Sequence, residues 1–459
     1  MAAGIMTMVD NASSSCQECT AFQAQFSQAS MLGFARDIPS IDAGANSGCH
    51  SCAIYQAMYR QFVAAGLLSG PIVPVYLSMA PASRRKPSAL AVIPKYTGPS
   101  MQFLLRPAEE VEHLLLPRSV HIESRTDSEA SFDRLRDWMH TCSSKHASCR
   151  RPSLPLSDKH QQAGRTYRPT RLLRISSSDP STAASIRLCE GDSIPPDVVY
   201  ATLTYHSRDS HSSSSTPQSP LALTKARMTS FKACNNNIPL ASLSQTFQDT
   251  IRTARRLGIW YLWIDTLCIV QDSPDDVARE SSLMPHIYGN SLLNIAATVS
   301  SSVDGAGAGG GLFRERNRLA LRPLKIRIGG KDDEKKRDFY LVDADPWREA
   351  FEIKKEAAPR PLNSLSRMVA AAAAPRVVHF DTDQLVWECN ELTACERYPA
   401  GLAGLATAAK EDGGGLLKKT RDSLAANHLS LLKSGAGAEK EDERIIIIPG
   451  DQQDESEVK

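Results

Sequence analysis

The chain has 459 residues, a length that fits two or three domains of ordinary size. Hydrophobic residues make up 42%, enough for a real core, although only 6% are aromatic. The formal charge of +2, from 53 basic and 51 acidic residues, gives no electrostatic reason to expect nucleic acid or an anionic membrane as partner. No apolar run is long enough to form a membrane span. The first residues also lack a basic stretch followed by an apolar one, so the expectation is an intracellular, cytoplasmic protein without a secretory signal. Eleven cysteines, an odd number in such a chain, predict reduced thiols rather than disulfides.

In chain order, residues 1–30 predict poor order at the very start. Residues 40–70 predict a loop entering an amphipathic helix, with Ala53, Ile54, Ala57, Met58 and Phe62 on one face. Residues 71–118 predict short strands broken by prolines. Residues 130–141 predict a helix with Phe132, Leu135 and Trp138 or Met139 inward. A basic, proline-containing linker is expected at 150–170 and a serine-rich, low-complexity stretch at 206–220. Residues 304–311 predict a flexible glycine loop. Residues 368–375 and the charged tail 434–459, with its odd run Ile445 to Ile448, are compositionally biased, and there is no internal repeat.

Between Val198 and Thr298 the pattern changes. VVYATLTY predicts a short apolar strand. LSQTFQDTIRTARRLG predicts a helix with Thr246 as N-cap and Asp249 three positions on. Phe247, Ile251, Ala254 and Leu257 form its buried stripe, Arg252, Arg255 and Arg256 suit its negative end, and Gly258 stops it. The nearly continuous apolar run IWYLWIDTLCIV predicts a strand buried on both faces, with Trp260, Tyr261 and Trp263 as core. A second helix follows, opened by Asp275 and Asp276, with Val277, Met284, Ile287 and Tyr288 inward and a kink or restart at Pro285. SLLNIAATV predicts the third strand. Alternating strands and helices of this kind predict an α/β fold with a parallel sheet.

Ligands of open parallel sheets bind beyond the carboxyl ends of the strands. Asp265 and the segment Cys268 to Asp272 lie towards that end, and Glu280 lies about one turn into the next helix. Two carboxylates near one crevice suit acid–base or ribose-binding work. The bland alternative is a turn-capping Asp265 and a solvated Glu280.

The spacings Cys16-x₂-Cys19 and Cys49-x₂-Cys52 are those of zinc ligands, since each turn offers two sulfurs to one tetrahedral ion. The alternative is that Cys49 and Cys52 are small, buried residues at a helix start. Cys142, His146 and Cys149 make a third group. Cys234 and Cys268 are expected to be buried thiols, because no histidine lies near them in sequence to activate them, and His286 is expected to be structural.

The run from Thr246 to Thr298 resembles the centre of the fungal heterokaryon-incompatibility (HET) domain almost end to end. The matching positions are Thr246, Phe247, Asp249, Leu257, Gly258, Tyr261, Leu262, Trp263, Ile264, Asp265, Cys268, Ile269, Gln271, Asp272, Glu280, Met284, Tyr288 and Ala296, and GLFRER at Gly311 to Arg316 resembles the family's usual ending. Upstream, Trp138, Cys142, His146 and Cys149 resemble a family segment, as does RPTRLLRI. Downstream, so do His379, Trp387, Glu388, Cys389, Ala394 and Cys395. Three positions depart from the pattern. Thr204–Tyr205–His206–Ser207–Arg208 replaces a segment ending in Trp-Gly, Val277 replaces a tryptophan, and MVAAAAAP stands where a WVLQER-like block is usual.

The resemblance implies a TIR- or flavodoxin-like parallel sheet flanked by helices at 166–320, with its core at 198–316. It is preceded by an irregular cysteine-containing region and linker at 1–165. It is followed by a HET-associated region at 321–400 and by an α-rich or partly disordered tail at 401–459. It implies fungal non-self recognition ending in growth arrest or cell death. It further implies that NAD is a substrate, hydrolysed with Glu280 and then Asp265 as the catalytic candidates. The resemblance also implies a motif site at Tyr205, Tyr261, Trp263, Asp265, Cys268, Gln271, Asp272, Glu280, Met284 and Tyr288. No Gly-rich dinucleotide fingerprint accompanies it. Two alternatives stand beside the enzyme: a non-enzymatic module working by homotypic assembly or through an incompatibility partner, and an inactive copy.

Overall fold

The structure, a computed structural model, describes residues 16–24, 33–64, 75–80, 89–94, 101–115, 120–149, 167–176, 185–205, 221–232, 238–297, 311–328, 337–343, 373–381 and 383–401. Residues 1–15, most of the linker at 150–170, the serine-rich stretch, the glycine loop before Gly311, Cys234, residues 368–372 and everything after Gly401 lie outside the described residues, as do the side chains of Met58 and Phe62.

The first part of the chain is more regular than expected. It contains α1 (Gln17–Ala24), β1 (Gly33–Arg36), α2 (Ile38–Asn46), α3 (His50–Ala64), β2 (Val75–Ala80), β3 (Ala89–Pro94), β4 (Met101–Pro107), α4 (Ala108–Val111) and α5 (Glu129–Lys145). The helix expected within 40–70 is α3, and the loop expected to enter it is largely helical as well, forming α2. Asp37 caps α2 by accepting from Ser40 N–H at 2.7 Å, and Gly48, at φ +90°, turns the chain into α3. The short strands expected at 71–118 are present. In α5 the cap is Ser128, and Phe132, Leu135, Trp138 and Cys142 face inward.

The next stretch supplies β5 (Arg171–Ser176), β6 (Ser185–Glu190), β7 (Ala201–Thr204), α6 (Lys225–Lys232), α7 (Gln245–Arg256), β8 (Tyr261–Trp263), α8 (Asp265–Cys268), α9 (Pro274–Gly289) and β9 (Leu293–Ala297). Then come β10 (Leu324–Ile328), β11 (Arg337–Asp343), β12 (Arg376–Phe380), β13 (Leu385–Cys389) and β14 (Thr393–Cys395). Among the described residues these strands form two sheets. One is antiparallel, in the order β1-β2-β3-β4-β11-β10. The other has the order β14-β13-β12-β9-β7-β8-β5-β6 and is mixed. Its centre, β12-β9-β7-β8, is parallel. Its flanks are antiparallel: β5–β6 and β12–β13–β14 are joined by connections too short for a parallel crossover, and β5 also runs antiparallel to β8. The all-parallel expectation therefore holds only for the centre.

Three local expectations also change. The apolar run 259–270 is not one strand: β8 ends at Trp263 and the chain coils into α8. There Asp265 Oδ1 accepts its neighbour Thr266 N–H at 2.7 Å, and Ile264 C=O accepts Cys268 N–H at 2.8 Å. Leu267 and Cys268 are fully buried in that helix, so an unbroken apolar run does not distinguish it from a strand. The cap of α7 is Ser244 rather than Thr246, since the Ser244 hydroxyl reaches Phe247 N–H at 3.3 Å while Thr246 already lies in the first turn. Pro285 does not divide α9, which runs from Pro274 to Gly289. As expected, Gly258 ends α7 in the left-handed region, at φ +73°. No helix among the described residues is long and apolar enough to cross a membrane.

Candidate functional site

Because β7, β8 and β9 run parallel, their carboxyl ends share one edge of the sheet. Tyr205 leaves β7 there. Its hydroxyl bonds Thr266 Oγ1, and its ring packs edge-on against Phe247 at 5.1 Å. Asp265 follows β8 and is buried. Gln271 Nε2 ties the turn together by donating to Asp265 C=O at 3.2 Å and Ile269 C=O at 2.9 Å, and Asp272 Oδ1 accepts Lys225 N–H at 2.8 Å at the start of α6. Asp265, Gln271 and Asp272 thus shape the loop by hydrogen bonds.

Behind this loop lies a buried charge network. Arg171 opens β5, which runs antiparallel to β8 and so begins beside the carboxyl end of β8. Its guanidinium meets Asp276 in a two-pronged pair, both contacts at 2.9 Å, and also donates to Cys268 C=O at 3.0 Å and Glu190 Oε1 at 3.1 Å. Asp276 Oδ2 accepts Val270 N–H at 2.8 Å, and Arg279 bonds Oδ1. Burial pushes the Asp276 carboxyl up, but the bonds from Arg171 and Val270 N–H and the charges of Arg171 and Arg279 outweigh it and hold the group below the usual carboxylate range.

Glu280 sits one turn further along α9 and is 0% exposed. Neither of its oxygens has a well-aligned hydrogen bond. Arg279 Nε approaches to 3.5 Å and Thr170 lies alongside. Burial raises its pKa above the ordinary glutamate value, and the like charge of Asp276 adds to this against the opposing Thr170, Arg171 and Arg279. Cys268, fully buried, is pushed up to about 12, mainly by burial, with Asp265 and Glu280 contributing in the same direction. It is a protonated core thiol, unsuited to act as a nucleophile. Glu280 is buried rather than solvated. Thr170, Arg171 and Asp276, which surround it, were not singled out as site residues from the sequence. The only signals for them were the RPTRLLRI segment and an acidic first helical turn.

The remaining motif positions are packing and anchoring groups. Trp263 is fully buried and meets Tyr288 edge-on at 5.7 Å. Tyr288 donates to Leu203 C=O at 2.9 Å and Tyr200 to Ile287 C=O at 2.6 Å, which pins α9 onto β7. Met284 is buried and Tyr261 half-buried against the same core. In GLFRER, Gly311 has no side chain because a Cβ there would lie 2.3 Å from Asp249 Oδ2, the atom that accepts Leu312 N–H at 3.0 Å. Arg316 is buried against Glu396, with further bonds to Ser131 Oγ at 2.8 Å and Glu123 C=O at 3.0 Å.

In the N-terminal part, Cys16, just before α1, and Cys19 on α1 meet Cys49, just before α3, and Cys52 in its first turn, with all four sulfurs within 4.8 Å of one another. Cys52 Sγ lies 3.7 Å from Cys16 Sγ and 3.5 Å from Cys19 Sγ, and Cys16 N–H donates to Cys49 Sγ at 3.3 Å. These separations are too long for a disulfide of about 2.05 Å. They suit a tetrahedral ion, whose metal–sulfur bonds of about 2.3 Å place sulfurs roughly 3.8 Å apart. Gly44 leaves the necessary room, since a Cβ there would lie 2.4 Å from Cys52 Sγ. The group can hold a metal ion.

Residues 200–362 match the family model described as heterokaryon incompatibility protein (HET), and the chain carries a domain of that family. No curated protein and no solved structure matches the chain.

Proposed function

We propose that this chain is an effector of heterokaryon incompatibility, acting in the cytoplasm of a fungal cell to convert non-self recognition into growth arrest or cell death. The observation that carries this reading is the family match over 200–362, with its motif residues engaged in the interactions described above. In chain order, the parallel centre reads second-first-third-fourth (β8-β7-β9-β12), which supports a TIR- or flavodoxin-like sheet. In that sheet the crevice falls between β7 and β9, at the end occupied by Tyr205.

The chemistry this reading assigns is hydrolysis of NAD at the nicotinamide–ribose bond. Glu280 supplies the charge. A desolvated carboxylate without strong hydrogen bonds gains more from positive charge developing on the ribose than a solvated one would. Asp265 is assigned to orient the loop beside it. A second reading, a module acting by homotypic assembly or by recruiting a partner, is favoured by the complete burial of Glu280. The N-terminal cysteine group is assigned a structural zinc ion, as its four sulfurs leave no open coordination position.

Induced expression of the full chain in a filamentous fungus, alongside Glu280→Gln, tests the reading, with NAD measured in cells and over the purified protein. Death with NAD loss in the native chain only supports hydrolysis. Death without NAD loss, unchanged in Glu280→Gln, transfers the function to assembly. Survival with the native chain, under conditions that kill with an active family member, identifies an inactive copy and overturns the effector reading.

A further inference from the structure

Cys142, His146 and Cys149 lie upstream of the HET match, and the fold brings a fourth group to them from its far side. Cys142 is in the last turns of α5, His146 caps that helix and Cys149 ends a short 3-10 turn over Ala147–Cys149. Cys389 ends β13. The Nδ1 or Nε2 atom of His146 and the three sulfurs all lie within 4.8 Å of one another, and His146 Nδ1 is 3.2 Å from Cys389 Sγ. The three cysteines are buried, none is in a disulfide, and His146 is half-buried.

We propose that these four residues bind a structural zinc ion that clasps the chain before the HET domain to the chain after it. Three thiolates and one imidazole are a complete tetrahedral set, with no position left for water or substrate. The surroundings carry the inference further than the spacing does. Arg376 Nε donates to Cys142 Sγ at 3.2 Å, and Leu392 N–H donates to Cys389 Sγ at 3.3 Å. Sulfur is a weak acceptor as a thiol and a strong one as a metal-bound thiolate, so donors aimed at it are what a ligand sulfur needs. Arg376 is itself buried, and among the described residues its other bonds go to Cys149 C=O at 3.0 Å and Leu292 C=O at 3.4 Å, not to a carboxylate. A buried guanidinium requires a counter-charge. Zinc with three thiolates and a neutral imidazole carries a net single negative charge, which balances it.

The same junction is closed by contacts around the cluster. Ser148 N–H and Oγ both meet Glu391 Oε1 at 2.7 Å, and Asn390 Nδ2 donates to Ser148 C=O at 3.0 Å. Trp138 stacks on Trp387 with centroids 6.3 Å apart and donates to Pro399 C=O at 3.0 Å. The clasp thereby joins α5 to the β13–β14 hairpin, at the outer flank of the mixed sheet. It shares no residue with the N-terminal cysteine group, so it can be tested separately.

The test is zinc content of the full chain, purified without chelator, compared with Cys389→Ser. The expected result is a loss of about one equivalent of zinc per chain in the variant, whether or not the N-terminal group is loaded. Equal zinc in the two proteins overturns the proposal. Because Cys389→Ser can fail to fold, His146→Cys provides a second measurement, since it keeps four ligands. The cobalt-loaded native chain and this variant should both show thiolate-to-cobalt charge transfer, with the visible cobalt bands moved by the exchange of nitrogen for sulfur. Identical visible spectra would also overturn the assignment.

Discussion

Asp276→Ala probes how the candidate site is held. The wild-type carboxylate accepts two bonds from Arg171 at 2.9 Å and one from Val270 N–H at 2.8 Å, with Arg171 and Asp276 both 5% exposed. Alanine removes every one of these acceptors and leaves a buried guanidinium with Glu190 as its remaining carboxylate partner. Breaking one side of such a pair costs about 3–5 kcal/mol. In a cooperative unit of ordinary domain size this lowers Tm by roughly 6–20 °C. The pair itself need not be net stabilising, so Arg171→Met combined with Asp276→Leu should return most of the loss. The pH dependence has a definite sign. Asp276 titrates lower in the folded chain than in the unfolded one, so its contribution is present above the unfolded value of about 3.9 and is lost as pH falls through the folded value. The gap between native and Asp276→Ala should therefore be flat above about pH 5 and narrow below it. Urea denaturation of the native chain, Arg171→Met, Asp276→Leu and the double variant completes a double-mutant cycle that measures the coupling, with Asp276→Ala read alongside. A single-variant cost below about 1 kcal/mol, or additive effects of the two replacements, would refute the reasoning.

Other expectations follow from the same geometry. Glu280 titrates higher in the folded chain than in the unfolded one, so its contribution is complete below the unfolded value of about 4.3 and is lost as pH rises through the folded value. Glu280→Gln should then be more stable than the native chain at neutral pH, by an amount that shrinks towards pH 4, as read by denaturation at several pH values. Gly311→Ala forces a Cβ against Asp249 and should cost about 1–3 kcal/mol, measured by the denaturation midpoint. Cys49→Ser with Cys52→Ser should release about one equivalent of zinc from the N-terminal group while leaving the HET sheet's far-UV signal in place.

The parts of the fold that could be read in advance are those governed by neighbours in the chain. The buried stripe of α7 and its stop at Gly258 follow from helical spacing and from the freedom of glycine at positive φ. The cores of β7 and β9 follow from short apolar runs. The pairing of two CxxC turns at one point follows from ligand spacing, and the structure brings those sulfurs together. The end of β8 was not legible, because residues 259–270 are apolar in either conformation and hydrophobicity does not say where a buried segment coils. The surroundings of Glu280 were not legible either. Arg171 and Asp276 stand 105 residues apart, and only the antiparallel pairing of β5 with β8 sets one beside the other.

The same division holds for the chain as a whole. Local chemistry in the sequence determined the helix of α7 and its stop, the apolar cores of β7 and β9, which residues resemble the HET motif and which cysteines come in ligand-spaced pairs. Tertiary structure decided that β10 and β11 return to the first sheet, that the antiparallel hairpins flank a parallel centre, and that Cys389 joins Cys142, His146 and Cys149. Each of these joins groups far apart along the chain. Their proximity depends on burying two sheets and a set of charges together, and no local pattern of residues encodes it.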